Sequence, residues 1–173
     1  KFAFNVRANV ATLFEEGRDF FTYDFKIEPR VRVNNKLILS YSLNFDFKNG
    51  DRGYATEEND EPIFGERNRQ RFVNSLSGSY NLNPFHSIAL TLRHYWDTVD
   101  YDYELFTLLD NGRLTTDSGY TIDNVSNNPN INFSTWNIDL TYSWQFAPGS
   151  FLTALYRNQL FNINDNVEDE YYQ

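Results

Sequence analysis

A chain of 173 residues is long enough for one domain. With a mean hydropathy of −0.61 and no apolar run near the ~20 residues a membrane helix needs, a helical membrane protein is excluded. A net charge of −9 without a basic stripe argues against a nucleic-acid binder, and the absence of cysteine excludes a disulfide framework or a thiolate metal site. What remains must explain 16 Phe, 12 Tyr and 3 Trp, enough to cover a large apolar surface.

Period-two alternation dominates the chain and predicts seven strands. In the first, Phe2, Phe4, Val6, Ala8 and Val10 alternate with Ala3, Asn5, Arg7 and Asn9. The second sets Phe21, Tyr23, Phe25, Ile27, Pro29, Val31 and Val33 against Thr22, Asp24, Lys26, Glu28, Arg30 and Arg32. Pro29 lies inside that run, so a bulge or local break is expected there, because proline has no N–H for the ladder. After Asn34-Asn35 the third run opposes Leu37, Leu39, Tyr41, Leu43, Phe45 and Phe47 to Ser40, Ser42, Asn44, Asp46 and Lys48. The fourth, 71–82, sets Phe72, Leu76, Tyr80 and Leu82 against Arg71, Ser75, Ser77 and Ser79. The fifth, 87–97, sets Ile88, Leu90, Leu92 and Trp96 against Ser87, Thr91, Arg93 and Asp97. In the sixth, 132–146, Trp136, Ile138, Leu140, Tyr142, Trp144 and Phe146 oppose Thr135, Asn137, Asp139, Thr141, Ser143 and Gln145. A weaker seventh occupies 151–160.

Every charge in these runs falls on the polar parity. In the second run, five charges share one side and none the other, an arrangement suited to a sheet with lipid on its apolar face, where a midplane charge costs roughly 2–4 kcal/mol. The connections carry a second asymmetry. Asn34-Asn35, Asn83-Pro84 and Ala147-Pro148-Gly149-Ser150 are tight turns, whereas 49–69 and 97–131 are long and polar. Inside the longest, Asp110-Asn111-Gly112 between Tyr103–Leu109 and Arg113–Thr116 predicts a hairpin. Segments 14–19, 49–69, 97–131 and 161–173 hold 20 of the 24 acidic residues and 5 of the 15 basic ones. Acidic loops therefore stand above a mildly basic wall. The fold class expected is all-β, an antiparallel up-and-down transmembrane β-barrel. A soluble lipid-binding barrel turned inside out is the competitor, ranked lower because its loops would be more even in size.

The expected lumen-facing charges are Arg7, Asp24, Lys26, Glu28, Arg30, Arg32, Asp46, Arg93, Asp139 and Arg157. They suit either an anion-selective pore or an interior lattice of ion pairs, and the lattice is preferred because small lumens are packed. The expected lipid-facing aromatics are Phe21, Tyr23, Phe25, Tyr41, Phe45, Trp96, Trp136, Tyr142 and Trp144. Pairing about Asn83-Pro84 brings Asn74 beside His94, with Ser134 on the sixth run one level above. These are the residue types of Ser–His nucleophilic catalysis, but the spacing matches no such motif, and the set is read as interfacial polar residues, with no catalytic role. Asp117, Asp123, Asn124, Asn127 and Asn128 lack the spacing of a calcium loop, so no metal and no cofactor is expected.

Phe64-Gly65 with Arg67, then Leu92-Arg93-His94-Tyr95-Trp96 followed by Val99-Asp100-Tyr101, then Asn132-Phe133 with Trp136-Asn137-Ile138-Asp139, and Tyr142-Ser143-Trp144-Gln145-Phe146-Ala147-Pro148-Gly149-Ser150 form a further pattern. In these residues the chain resembles the C-terminal barrel of large Bacteroidota outer-membrane proteins whose N-terminal domain is similar to family-9 carbohydrate-binding modules. The resemblance covers about half of the chain, and it implies a location in the bacterial outer membrane and a barrel without a settled activity. That barrel is longer than this chain, so residues 1–173 are expected to be one incomplete barrel segment of seven to eight strands, with strands before Lys1 and at least one after the acidic Glu170-Tyr171-Tyr172-Gln173. The function expected is a membrane anchor, structural or surface-binding component with no enzymatic activity. Its partners are the lipid bilayer and a glycan or other outer-membrane proteins contacted through 49–69 and 97–131. A porin-like channel for small solutes is the second reading, and a lipid-acting enzyme a distant third.

Overall fold

The computed structural model describes residues 1–14, 17–115 and 117–167. Eight strands follow the chain: β1 (Phe2–Thr12), β2 (Phe21–Arg32), β3 (Leu37–Glu58), β4 (Glu61–Asn83), β5 (His86–Leu108), β6 (Leu114–Thr115), β7 (Ile131–Ala147) and β8 (Ser150–Asn164). There is no helix among the described residues. All pairings are antiparallel, in the order β1-β2-β3-β4-β5-β7-β8, with the two-residue β6 on β5 beyond the end of β7. The sheet is open, with β1 and β8 as its edges.

The alternating runs become strands because each can stack its apolar residues with those of both neighbours. The register does this row by row: Phe25 pairs with Phe45, Phe45 with Phe72 and Phe72 with Trp96. On the opposite face Asp46 pairs with Arg71 and Arg71 with Asp97. A one-residue slip would exchange the faces along a whole strand, so the pattern itself fixes the register. β8 is the exception in kind: Phe151, Leu155 and Phe161 lie on the polar side, beside Gln145, Thr141 and Thr135.

Side-chain oxygens of asparagine close two of the short turns. Asn34 Oδ1 accepts from the N–H groups of Lys36 and Leu37, and Asn83 Oδ1 from those of Phe85 and His86. Between β7 and β8, Gly149 supplies the left-handed residue at φ 77°.

At the opposite end the expectation of two long loops gives way. Residues 49–58 and 61–69 continue β3 and β4 as strands of 22 and 23 residues, joined at Asn59 and Asp60 with φ of 50° and 64°. Two positive φ values in succession are the turn that matches strand twist. β5 likewise runs on to Leu108, and the hairpin about Asp110-Asn111-Gly112 is present, with Leu109 N–H bonded to Arg113 O. Period two is weak here because bulges reset the parity between Lys48 and Asp51, Tyr54 and Thr56, and Gly65 and Arg67. At Pro29 the expected disturbance takes the form of a local break and not of a bulge. The β2–β3 pairing is interrupted between Ile27↔Leu43 and Arg30↔Ser40 and resumes in the same register, while Phe4 still pairs with Pro29. The expectation for Glu170–Gln173 lies outside the described residues.

Candidate functional site

All ten charges expected on one face are brought to one face, and most are joined into a lattice. Asp139 on β7 accepts from Arg157 at 2.6 Å and lies 3.6 Å from Arg93. Asp24 accepts from Asn9 and stands 3.6 Å from Arg7, whereas Lys26 and Glu28 pair along β2 at 2.7 Å. Asp46 stands 3.5 Å from Arg71. Arg30 and Arg32, near the short-turn end, have no carboxylate within ion-pair reach among the described residues. Beside Arg30 a depression of about 360 Å³ is lined by Asn5, Glu28, Ser40, Ser42, Ser75 and Ser77.

The tightest ion pair on this face was not among those ten. Arg69 donates two parallel bonds to Asp97, at 2.9 and 2.5 Å, and Tyr95 Oη donates to the same carboxylate at 2.7 Å. Bidentate geometry with a partner side chain only 11% exposed makes this pair stronger than the others. Sequence reasoning set Asp97 on the polar side of the fifth run, at the start of a loop, and left Arg69 at the end of another. The signal for Arg69 was parity, since it is two residues from Arg71.

The nine expected aromatics share the other face. Tyr23, Phe45, Phe72 and Trp96 form a continuous ladder with ring centroids 5.6, 4.3 and 5.6 Å apart. Near the short turns His86 stacks on Tyr142 and Trp144 and bonds Tyr142 Oη at 2.6 Å. The polar atoms on this face are tied up: Trp96 Nε1 donates to Asn132 Oδ1, and Tyr41 Oη to Asn74 Oδ1.

Asn74, His94 and Ser134 come together as their spacing suggested. Asn74 pairs with His94 across β4 and β5, and His94 Nε2 lies 3.2 Å from Ser134 Oγ. His94 is 1% exposed, covered by the parallel ring of Trp136 at 4.0 Å. Ser134 is paired on both sides, with Trp96 on β5 and Asn162 on β8. The ladder therefore engages the local backbone, where acyl transfer needs free N–H donors for a developing oxyanion. The geometry is that of a polar pair sealed beneath an aromatic ring.

The third locus is the far end of β3–β5, where Ile63, Val99, Tyr101 and Leu105 form a small core. Gly53 and Gly65 pair directly, and a side chain at Gly53 would displace the Arg67 guanidinium, one at Gly65 the Tyr101 ring. A Cβ on Gly53 would lie 2.5 Å from Arg67 Nη2, and one on Gly65 2.6 Å from Tyr101 Cδ1. The space the glycines leave holds a knot in which Arg67 donates to Asp51 at 3.1 Å and to Tyr101 Oη at 2.7 Å. The segment 117–130 is fastened to it by Asn130, whose Oδ1 accepts from Tyr101 N–H, and is braced within itself by Asn124, whose Oδ1 accepts from Thr121 N–H. The asparagine oxygens considered for calcium are thus partly spent on backbone. On the outer side, desolvation and then the nearby Glu66 and Asp100 push the Asp102 carboxyl above its ordinary pKa.

Gly65, Arg67 and Tyr101, far apart in the chain, therefore meet at this core, while Trp96, Asn132 and Trp136 lie on the opposite, aromatic face, with Trp96 bonded to Asn132. The chain belongs to the family described as Domain of unknown function (DUF5916), which matches residues 1–173. No curated protein and no solved structure matches it.

Proposed function

We propose that this sheet is part of the wall of an outer-membrane β-barrel, with the aromatic face against lipid and the charged face toward the lumen. The barrel serves as a membrane anchor and surface-binding component. The observation that carries the reading is a single-layer sheet whose apolar face has no second layer upon it among the described residues, while the ion pairs of the two-faced region lie on the other side. Leu39, Leu76, Trp136, Leu140 and Trp144 are each 38–46% exposed there. A contiguous apolar surface of this size needs a non-aqueous neighbour. About a dozen residues per strand carry the two-faced pattern, close to the 9–11 that cross a bilayer at a tilt. The strand extensions then stand above the membrane, and Tyr54 and Tyr103 beside acidic groups offer a surface to a glycan or to another outer-membrane protein.

The test places one charge on each face of β5. Leu90→Arg on the aromatic face is expected to destabilise the folded protein in lipid by roughly 2–4 kcal/mol, whereas Thr91→Arg on the other face costs little. Stability would be read as the heat-modifiable, compact form on cold gels and by urea titration in vesicles. Equal effects at the two positions would sink the reading. A second reading, passage of small anions, is favoured by Arg30 and Arg32, whose charges have no carboxylate partner among the described residues. Planar-bilayer recording of the protein should then give anion-selective current that falls in Arg30→Ala; silence in the recording excludes it.

A further inference from the structure

We infer that residues 120–128 form a fixed strap across the loop-rich end of the polar face, barring bulky solutes from the lumen on that side. The inference rests on the barrel reading above and deepens it. Register decides which face the strap covers. Arg69 pairs with Val99, Arg67 with Tyr101 and Gly65 with Leu105, and Arg69 grips Asp97, the carboxylate opposite Arg71 on the charged face. Val99, Tyr101 and Leu105 therefore continue the charged face, although they are apolar.

Their apolar character has a local cause, because Tyr120, Ile122 and Val125 pack upon them. Residues 120–122 first run beside β5, with Leu105 N–H bonded to Tyr120 O and Ile122 N–H to Tyr103 O at 3.0 Å each. The chain then crosses β5 and β4 to the tip of β3, where Ser126 donates through its Oγ to Glu58 at 2.9 Å and through its N–H to the same carboxylate. Pro129 is buried at the return. A segment held at both ends, with Ile63 and Leu105 fully buried beneath it, opens only by local unfolding. It thus acts as a standing obstruction.

Because the chain has no cysteine, a single Ser77→Cys on the charged face reports access cleanly. Whole cells producing the protein are treated with a maleimide on a long polyethylene glycol chain, or with a small charged thiol reagent. Replacing 120–128 by a Gly-Ser linker is expected to raise the bulky reagent's labelling rate by about tenfold or more, since the docked strap blocks it except during local opening. The small reagent's rate should change little. Glu58→Ala with Ser126→Ala loosens one end without touching the apolar core, and should give a smaller rise in the same direction. Equal rates with and without the strap, in a barrel that remains heat-modifiable, overturn this inference alone. Absence of any heat-modifiable form overturns the barrel reading and the strap with it.

Discussion

Residue by residue, the charged face separates pairs that stabilise from pairs that merely meet. Asp139 touches both Arg93 and Arg157, yet those arginine side chains are 57% and 68% exposed, so water screens them and their bonds contribute little. Asp97 is nearly enclosed, and it accepts from both Arg69 and Tyr95. Asp97→Ala should therefore cost about 1–3 kcal/mol, because a charged hydrogen bond is lost and its donors are stranded. Arg157→Ala should cost about 0–1 kcal/mol. Denaturant titration of both variants in the same detergent checks the ranking, and a reversal would mean that exposure does not govern these pairs. His94 gives the same lesson for the other face. Its polar ring on an apolar surface is buried under Trp136 and lies 3.2 Å from Ser134 Oγ.

At the scale of the element, β3, β4 and β5 differ from the other strands by running on for about ten residues past the two-faced region. Those extensions are held by their own core and by side chains that fill the space beside two glycines. The Gly53–Gly65 pair leaves that space, and it yields a sharp expectation. In Gly65→Ala the new methyl meets the Tyr101 ring at 2.6 Å and Leu105 at 2.9 Å, an overpacking that costs roughly 1–3 kcal/mol. Hydrogen exchange should quicken in 99–107 and leave 87–95 unchanged; uniform loss of protection would show that the two regions are a single cooperative unit. The extensions also redraw the binding segment. Removing all of 97–131 would delete Asp97, Val99, Tyr101 and Leu105 with it, so a surface role is better probed by shortening the tip at 109–113.

For the whole molecule, one layer of sheet leaves two faces of opposite character, and only an environment that differs on its two sides suits both. The paired substitutions at Leu90 and Thr91 address the apolar side and the barrel reading itself, whereas cysteine access at Ser77 addresses the strap, which falls with the barrel and can also fail alone. The alternation in the sequence, by itself, determined that the chain is an all-β meander, which residues share a face, and which turns are tight. Each of these follows from a period of two residues and from the chemistry of Asn, Pro and Gly, which are local. The tertiary structure decided the rest. It extended three strands where bulges had scrambled the period, selected Arg69–Asp97 over the other ion pairs by burying it, and laid 120–128 across the charged face. These outcomes depend on contacts between residues far apart in the chain, such as Ser126 with Glu58 and Arg67 with Tyr101. No repeating pattern encodes such contacts, because each is made once, by packing.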